Sequence, residues 1–203
     1  MRQLTDVIPA ICKVAAGSLL LLGLMTAGSV PVLAQKAETI EASAMGTGTQ
    51  LGQIVEIRLI INDYSTMEER QVLVQAFEKG QNQGLVTALS KMRAVGRISL
   101  TGTIGYDVSF IRMIPTPTGR KIRFITNRQI RFGEAWTDSP SQAFDLSGGE
   151  IEINDQDKSK STGVLFPQAQ LVIDKQGQLQ IDLAQNSWKL VDVLDWKGTP
   201  GVN

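Results

Sequence analysis

The sequence contains no histidine, and its one cysteine, Cys12, lies within the first 34 residues. Without histidine there is no Ser-His-Asp or Cys-His catalysis and no zinc site built on imidazole. Beyond residue 34 the chain has no thiol, so disulfides, thiolate metal sites and c-type haem attachment are excluded there. Charge of one sign is also lacking, with 20 basic against 20 acidic side chains. That balance argues against nucleic acid as a partner and against a surface that seeks anionic lipid. Neither G-x-x-x-x-G-K-[ST] nor a strand-linked G-x-G-x-x-G occurs, so nucleotide hydrolysis and dinucleotide binding have no support. No cofactor is implied. What remains is carboxylate, lysine, arginine and hydroxyl chemistry.

Residues 1–34 read as a secretory signal peptide. Arg2 and Lys13 flank a short first region interrupted by Asp6, Val14 to Met25 is apolar, and Ser29-Val-Pro-Val-Leu-Ala34 ends on a small residue. Cleavage after Ala34 would place the mature chain in the periplasm or outside the cell, with no stable membrane insertion. The competing reading is a retained anchor, because the uncharged run from Val14 to Ala34 is 21 residues long. Gly, Ser and Pro near its end favour cleavage. Loss of Arg2, Lys13 and Asp6 leaves 18 basic and 19 acidic side chains.

Residues 35–52, rich in Ala, Gly, Thr and Glu, read as a flexible lead-in. Val55, Ile57, Leu59 and Ile61 then alternate with Glu56, Arg58 and Ile60, a one-sided first strand. Helical periodicity is clear only between Asn62 and Phe110. Ser65-x-x-Glu68 has the form of a capping box, and Glu68-Glu69 suits the positive end of the helix dipole. Val72, Leu73, Ala76 and Phe77 make one apolar stripe, ended by Lys79-Gly80. A second short helix starts near Asn82, with Leu85, Leu89 and Met92 on its buried face.

From Val95 onward the pattern runs in twos. Tyr106, Val108 and Phe110 share one face of 104–114. The strand 120–126 returns with Ile122 and Phe124 inward, closing a hairpin at Thr116-Pro-Thr-Gly119. Ile130, Phe132 and Trp136 share a parity in 129–136. Gly148-Gly149 interrupts 144–154 and suggests a bulge or sharp bend. A polar turn at 154–161, a hairpin of 163–174 with 177–183, a last strand 189–196 and a flexible tail 197–203 complete the chain. These spacings predict one α+β domain over 53–196. Its sheet is a mostly antiparallel meander or partial barrel of about eight strands, with a helical pair inserted after the first strand.

The segments VLVQAFEKG-x4-LVTAL-x-KM-x-x-VGRI, Gly105-Tyr-Asp107 and GRKIRFITNRQIRFGE at 119–134 resemble a set of small exported bacterial proteins, chiefly acidobacterial. The resemblance spans about residues 53–196, departs at the turn 154–161, and implies no assigned activity or catalytic residue.

Four groups of residues merit a functional reading. Glu134 shares parity with Ile130, Phe132 and Trp136, so alternation points this carboxylate to the apolar side. There it either carries a raised pKa or pairs with a cation such as Arg112. Glu134 with Asp107 is the pair a carboxylate-dependent hydrolase would use. Asp155-x-Asp157-x-Ser159-x-Ser161 has the oxygen spacing of half a calcium loop. Lys160 and Phe166 stand where the loop's glycine and bidentate glutamate belong, so it reads as a solvated turn, and no metal site is expected. Arg120, Lys121, Arg123, Arg128 and Arg131 form a basic cluster, with Lys121, Arg123 and Arg131 on one face; such a face more often discourages edge pairing than binds phosphate. Tyr106, Phe110, Phe124, Phe132 and Trp136 are the candidate ligand-binding surface. The leading expectation is a non-enzymatic exported envelope module that binds a partner protein or a small apolar ligand. A carboxylate-dependent hydrolase and a structural envelope protein are the alternatives.

Overall fold

A computed structural model of the chain describes residues 37–130, 145–173, 179–183 and 186–197. The strands are β1 (Glu38–Gly46), β2 (Ile54–Ile61), β3 (Gly96–Leu100), β4 (Tyr106–Thr116), β5 (Gly119–Thr126), β6 (Leu146–Asn154), β7 (Thr162–Ile173), β8 (Leu179–Leu183) and β9 (Trp188–Lys197). One helical element, α1 (Met67–Leu89), separates β2 from β3. All pairings are antiparallel. The order runs β6-β5-β4-β3-β2-β1-β9-β7-β8, and a further β6–β7 pairing closes the first eight of these strands into a barrel. The fold is therefore α+β with a mostly antiparallel sheet, as the periodicity predicts, and the sheet is closed rather than an open meander. Strand β8 continues the edge of β7 beyond the ring, pairing Leu179–Leu183 with Ile173–Ala169.

Closure depends on β1, which lies in the stretch read above as a flexible lead-in. Its inward positions are Ile40, Ala42 and Ala44, all buried, and it pairs with β2 on one side and β9 on the other. Small alanines carry little hydrophobic signal in sequence. Eight strands leave an interior just wide enough for side chains to fill. Here Leu59, Ile98, Ile111, Phe124, Ile151, Leu165, Trp188 and Leu190, among others, fill it.

The helical element packs on the outside. Leu73, Phe77, Leu85 and Leu89 meet Phe110 and Leu146, with Ile125 and Leu171 alongside. Each such side chain contributes about 1.5–3 kcal/mol by leaving water. The cap is one residue later than Ser65-x-x-Glu68: the Thr66 hydroxyl accepts from the Glu69 amide at 3.2 Å, and the Glu69 carboxylate accepts from the Thr66 amide at 2.8 Å. Ser65 is occupied elsewhere, exchanging bonds with the backbone of Ile111 on β4. Gly80 and Gln81 leave helical geometry, Gln81 at φ 49°, so the element breaks close to the expected Lys79-Gly80 boundary. The turns on either side then meet closely, since a Cβ added to Gly84 would collide with the Ala76 carbonyl oxygen.

Besides a register shift between β1 and β9 at Glu41/Ser43, two irregularities lie in the β4–β5 and β6–β7 pairs. Val108 pairs with Thr126 and Phe110 with Ile125, which leaves Ser109 as an extra residue. Val108 and Ile111 both face the interior, and Phe110 turns outward beneath α1. The second lies between Leu146 and Gly148, where β7 carries the extra residue across from Ser147. Gly149 has its own reason to lack a side chain, because a Cβ there would strike the Phe124 ring.

Candidate functional site

The aromatic surface expected from parity does not assemble. Phe124 is 1% exposed inside the barrel, whereas Phe110 lies outside under the helix, on the other side of the sheet. The bulge at Ser109 is the cause. Tyr106 is half-buried against the interior cluster. Phe132, Glu134, Trp136 and Arg131 fall outside the described residues. Asp107 is exposed and faces Arg97 at 3.6 Å, so it is a surface ion pair rather than a desolvated acid. Arg112 lies across from Arg123 on the outer side of the β4–β5 pair. Lys121 and Arg123 converge on Glu150 at 2.6 and 2.5 Å. Burial works to raise the Glu150 pKa, but hydrogen bonds from those two cations outweigh it and hold it below the usual range. In the 154–161 turn the oxygens are spent internally. Asp157 Oδ1 accepts from the Ser159 amide and hydroxyl, and Asn154 Oδ1 accepts from the amides of Gln156 and Asp157. Among the described residues no cluster suited to a metal ion occurs.

The two ends of the barrel are closed by different chemistry. At the end where β5 finishes and β6 begins, the chain crosses the opening and inserts Ile130, which is fully buried. Ser147 holds this strap: its hydroxyl accepts from the Ile130 amide at 2.6 Å and lies 2.9 and 2.5 Å from the carbonyls of Arg128 and Pro167. Thr126 adds a buried hydroxyl that accepts from the Ser147 amide. Among the described residues these bonds join only hydroxyls, amides and carbonyls.

At the opposite end Glu38 from β1, Arg120 from β5 and Asp195 from β9 point inward and meet. Arg120 Nη2 donates to Glu38 Oε1 and, at 2.6 Å, to Asp195 Oδ2. Tyr64, from the segment between β2 and α1, donates its hydroxyl to Glu38 Oε2 at 2.9 Å. The three charged side chains are only 11–14% exposed. Burial is the main reason the Glu38 pKa lies above its ordinary 4.5; Tyr64 and Arg120 oppose that rise and Asp195 adds to it. Burial likewise raises the Tyr64 phenol, with the Glu38 charge reinforcing it. Sequence reading missed this cluster, although a signal existed. Arg120 is two residues before Ile122, Glu38 two before Ile40, and Asp195 two after Val193, so period-two parity carries all three inward.

The described surface also has a concave region, a groove of about 820 Å³ over the broken helical element. Its walls include Val72, Ala76, Ala88 and Met92, with Lys79 and Lys91 beside them. Val72 is 53% exposed on this wall. No protein-family profile, curated protein or solved structure matches the chain. The reading of function therefore rests on the arrangement of its own residues. No described helix is long and apolar enough to cross a membrane.

Proposed function

We propose that this chain is a non-enzymatic binding module of the cell envelope, and that its ligand is a small amphipathic acid lying in the groove over α1. The observation that carries the reading is the contrast between a barrel interior packed solid with side chains and a groove left open above the helix. An open groove with aliphatic walls takes up an apolar chain by burying surface on both sides. Lys79 and Lys91 border it, no carboxylate lines it, and neither lysine has an ion-pair partner among the described residues. That charge asymmetry favours an anionic head on the ligand. Export rests on the targeting pattern of residues 1–34.

The hydrolase alternative draws no support from Asp107, which is a solvent-exposed partner of Arg97. The test is titration of the chain from Gln35 onward with palmitate, followed by native mass spectrometry and calorimetry. Binding at one site, weakened about tenfold or more by Val72→Glu and reduced by Lys91→Glu, is the expected result. Absence of binding, or binding indifferent to Val72→Glu, overturns the assignment of the groove.

A further inference from the structure

We propose that the Ile130 end of the barrel docks on the surface of a zwitterionic phospholipid bilayer through four aliphatic side chains, Met45, Leu51, Ile54 and Ile104. Among the described residues the three most exposed large apolar side chains are Ile104 at 88%, Leu51 at 82% and Ile54 at 60%, and all three lie at this one end. Met45, also exposed, stands across from Ile54 in the β1–β2 register, and Leu51 occupies the turn that joins those strands. The turn between β3 and β4, which carries Ile104, runs beside them, since the Thr101 amide donates to the Glu56 carbonyl on β2 at 3.0 Å. Both turns are well bonded. The Leu51 amide donates to the Gly48 carbonyl at 3.2 Å, and the Thr103 amide and hydroxyl both donate to the Leu100 carbonyl. Arg97 Nε donates to the Ile104 carbonyl at 2.9 Å. Apolar tips held this way give up little backbone freedom when they are buried.

Area and charge say what covers them. A stable protein–protein interface takes about 800 Å² and roughly 20–30 residues from each side. Four side chains on two turns supply only a part of that, whereas a fluid bilayer needs no complementary shape. The charges around the tips nearly cancel. Exposed Lys189 on β9 lies across from Met45, Arg97 pairs with Asp107, and Glu56, two residues along β2 from Ile54, accepts from the Ser43 hydroxyl at 2.8 Å. A rim of this kind suits zwitterionic headgroups, with the Lys189 ammonium able to reach a phosphate while its stem stays among the apolar tips. No strand or helix crosses the membrane in this arrangement. Only side chains enter the boundary between headgroups and acyl chains, so the attachment is peripheral and reversible. None of the residues lining the groove over α1 belongs to this patch, and docking does not depend on the groove's ligand.

The test is co-sedimentation of the chain from Gln35 onward, which lies within one compact unit, with phosphatidylcholine–phosphatidylethanolamine vesicles. The wild type is expected to bind, and to remain bound in about 0.5 M sodium chloride, because apolar burial is not screened by salt. Leu51→Asp and Ile104→Asp should each lower the partition coefficient about tenfold or more. Val74→Asp, which places the same charge at an exposed valine on α1 outside the patch, should leave it unchanged. Circular dichroism checks that the variants fold; should either aspartate variant fail, Leu51→Ser and Ile104→Ser take its place. A wild type that stays in solution overturns the proposal, as does binding that requires added phosphatidylglycerol and vanishes in salt. Equal binding by the wild type and both tip variants also overturns it. Self-association without lipid that Leu51→Asp abolishes would assign the patch to a second copy of the chain instead.

Discussion

The barrel closes its two ends with opposite materials. At the Ile130 end an aliphatic side chain fills the opening, and the hydroxyls of Ser147 and Thr126 satisfy the crossing backbone. At the Arg120 end three ions and a phenol meet where burial leaves them little water. Replacing a buried ionic group with well-packed apolar residues is often neutral or stabilising, so maximal stability alone does not account for the second arrangement. What ions add is a response to pH. The described bonds at the Ile130 end join hydroxyls, amides and carbonyls, whereas burial raises the Glu38 pKa at the Arg120 end and so links that end to pH.

That contrast can be broken most forcefully at Arg120. Arg120→Met strands two buried carboxylates and is expected to lower unfolding free energy by about 3–5 kcal/mol near neutral pH. In urea titrations the loss should shrink as pH falls and the acids take up protons; a loss under about 1 kcal/mol at pH 7 would mean the ions do not hold that end. Ile130→Ala should cost about 2–5 kcal/mol, and the same amount at pH 4.5 as at pH 7.5, because a cavity has no proton linkage. Ser147→Ala removes the nearer of two acceptors for the buried Ile130 amide, which keeps the Pro167 carbonyl at 3.2 Å, at an expected cost of about 1 kcal/mol. Thermal unfolding at two pH values would show whether that penalty is as insensitive to pH as the hydroxyl network implies. The smallest effect separates the two cap registers: Thr66→Ala should cost about 1 kcal/mol. Ser65→Ala should instead disturb exchange at Ile111, whose amide it accepts at 3.1 Å.

Much of the fold is legible in alternation. The inward set Ile57, Leu59 and Ile61, the β4–β5 hairpin and the stripe Leu73, Phe77, Leu85 and Leu89 all occupy the places their spacing predicts. Legibility stops wherever one extra residue intervenes. Ser109 shifts Phe110 to the far side of the sheet, and a period-two reading carried across it puts Phe110 with Phe124 when the two never share a face. Strand β1 is hidden for a different reason: its buried positions include two alanines, and Ser43 and Thr39 between them resemble a polar linker. Charge groups Arg120 with Lys121 and Arg123, although its parity belongs with Ile122. Cations are expected outward, and only a pair of acids from distant strands makes an inward arginine tolerable.

By itself the sequence determined the alternation of the strands outside β1 and the bulges, the helical interruption after Ile61, and the absence of histidine and thiol chemistry beyond residue 34, because these depend on neighbours within a few positions. Only the tertiary structure decided that the sheet closes, that Ile130 and Arg120 sit at opposite ends of one barrel, and that Glu38 and Asp195 share a guanidinium. Residues 38, 120 and 195 lie 75 or more positions apart in the chain, and no local period carries information over that distance. Register and closure bring them together, and burial then gives them their chemistry.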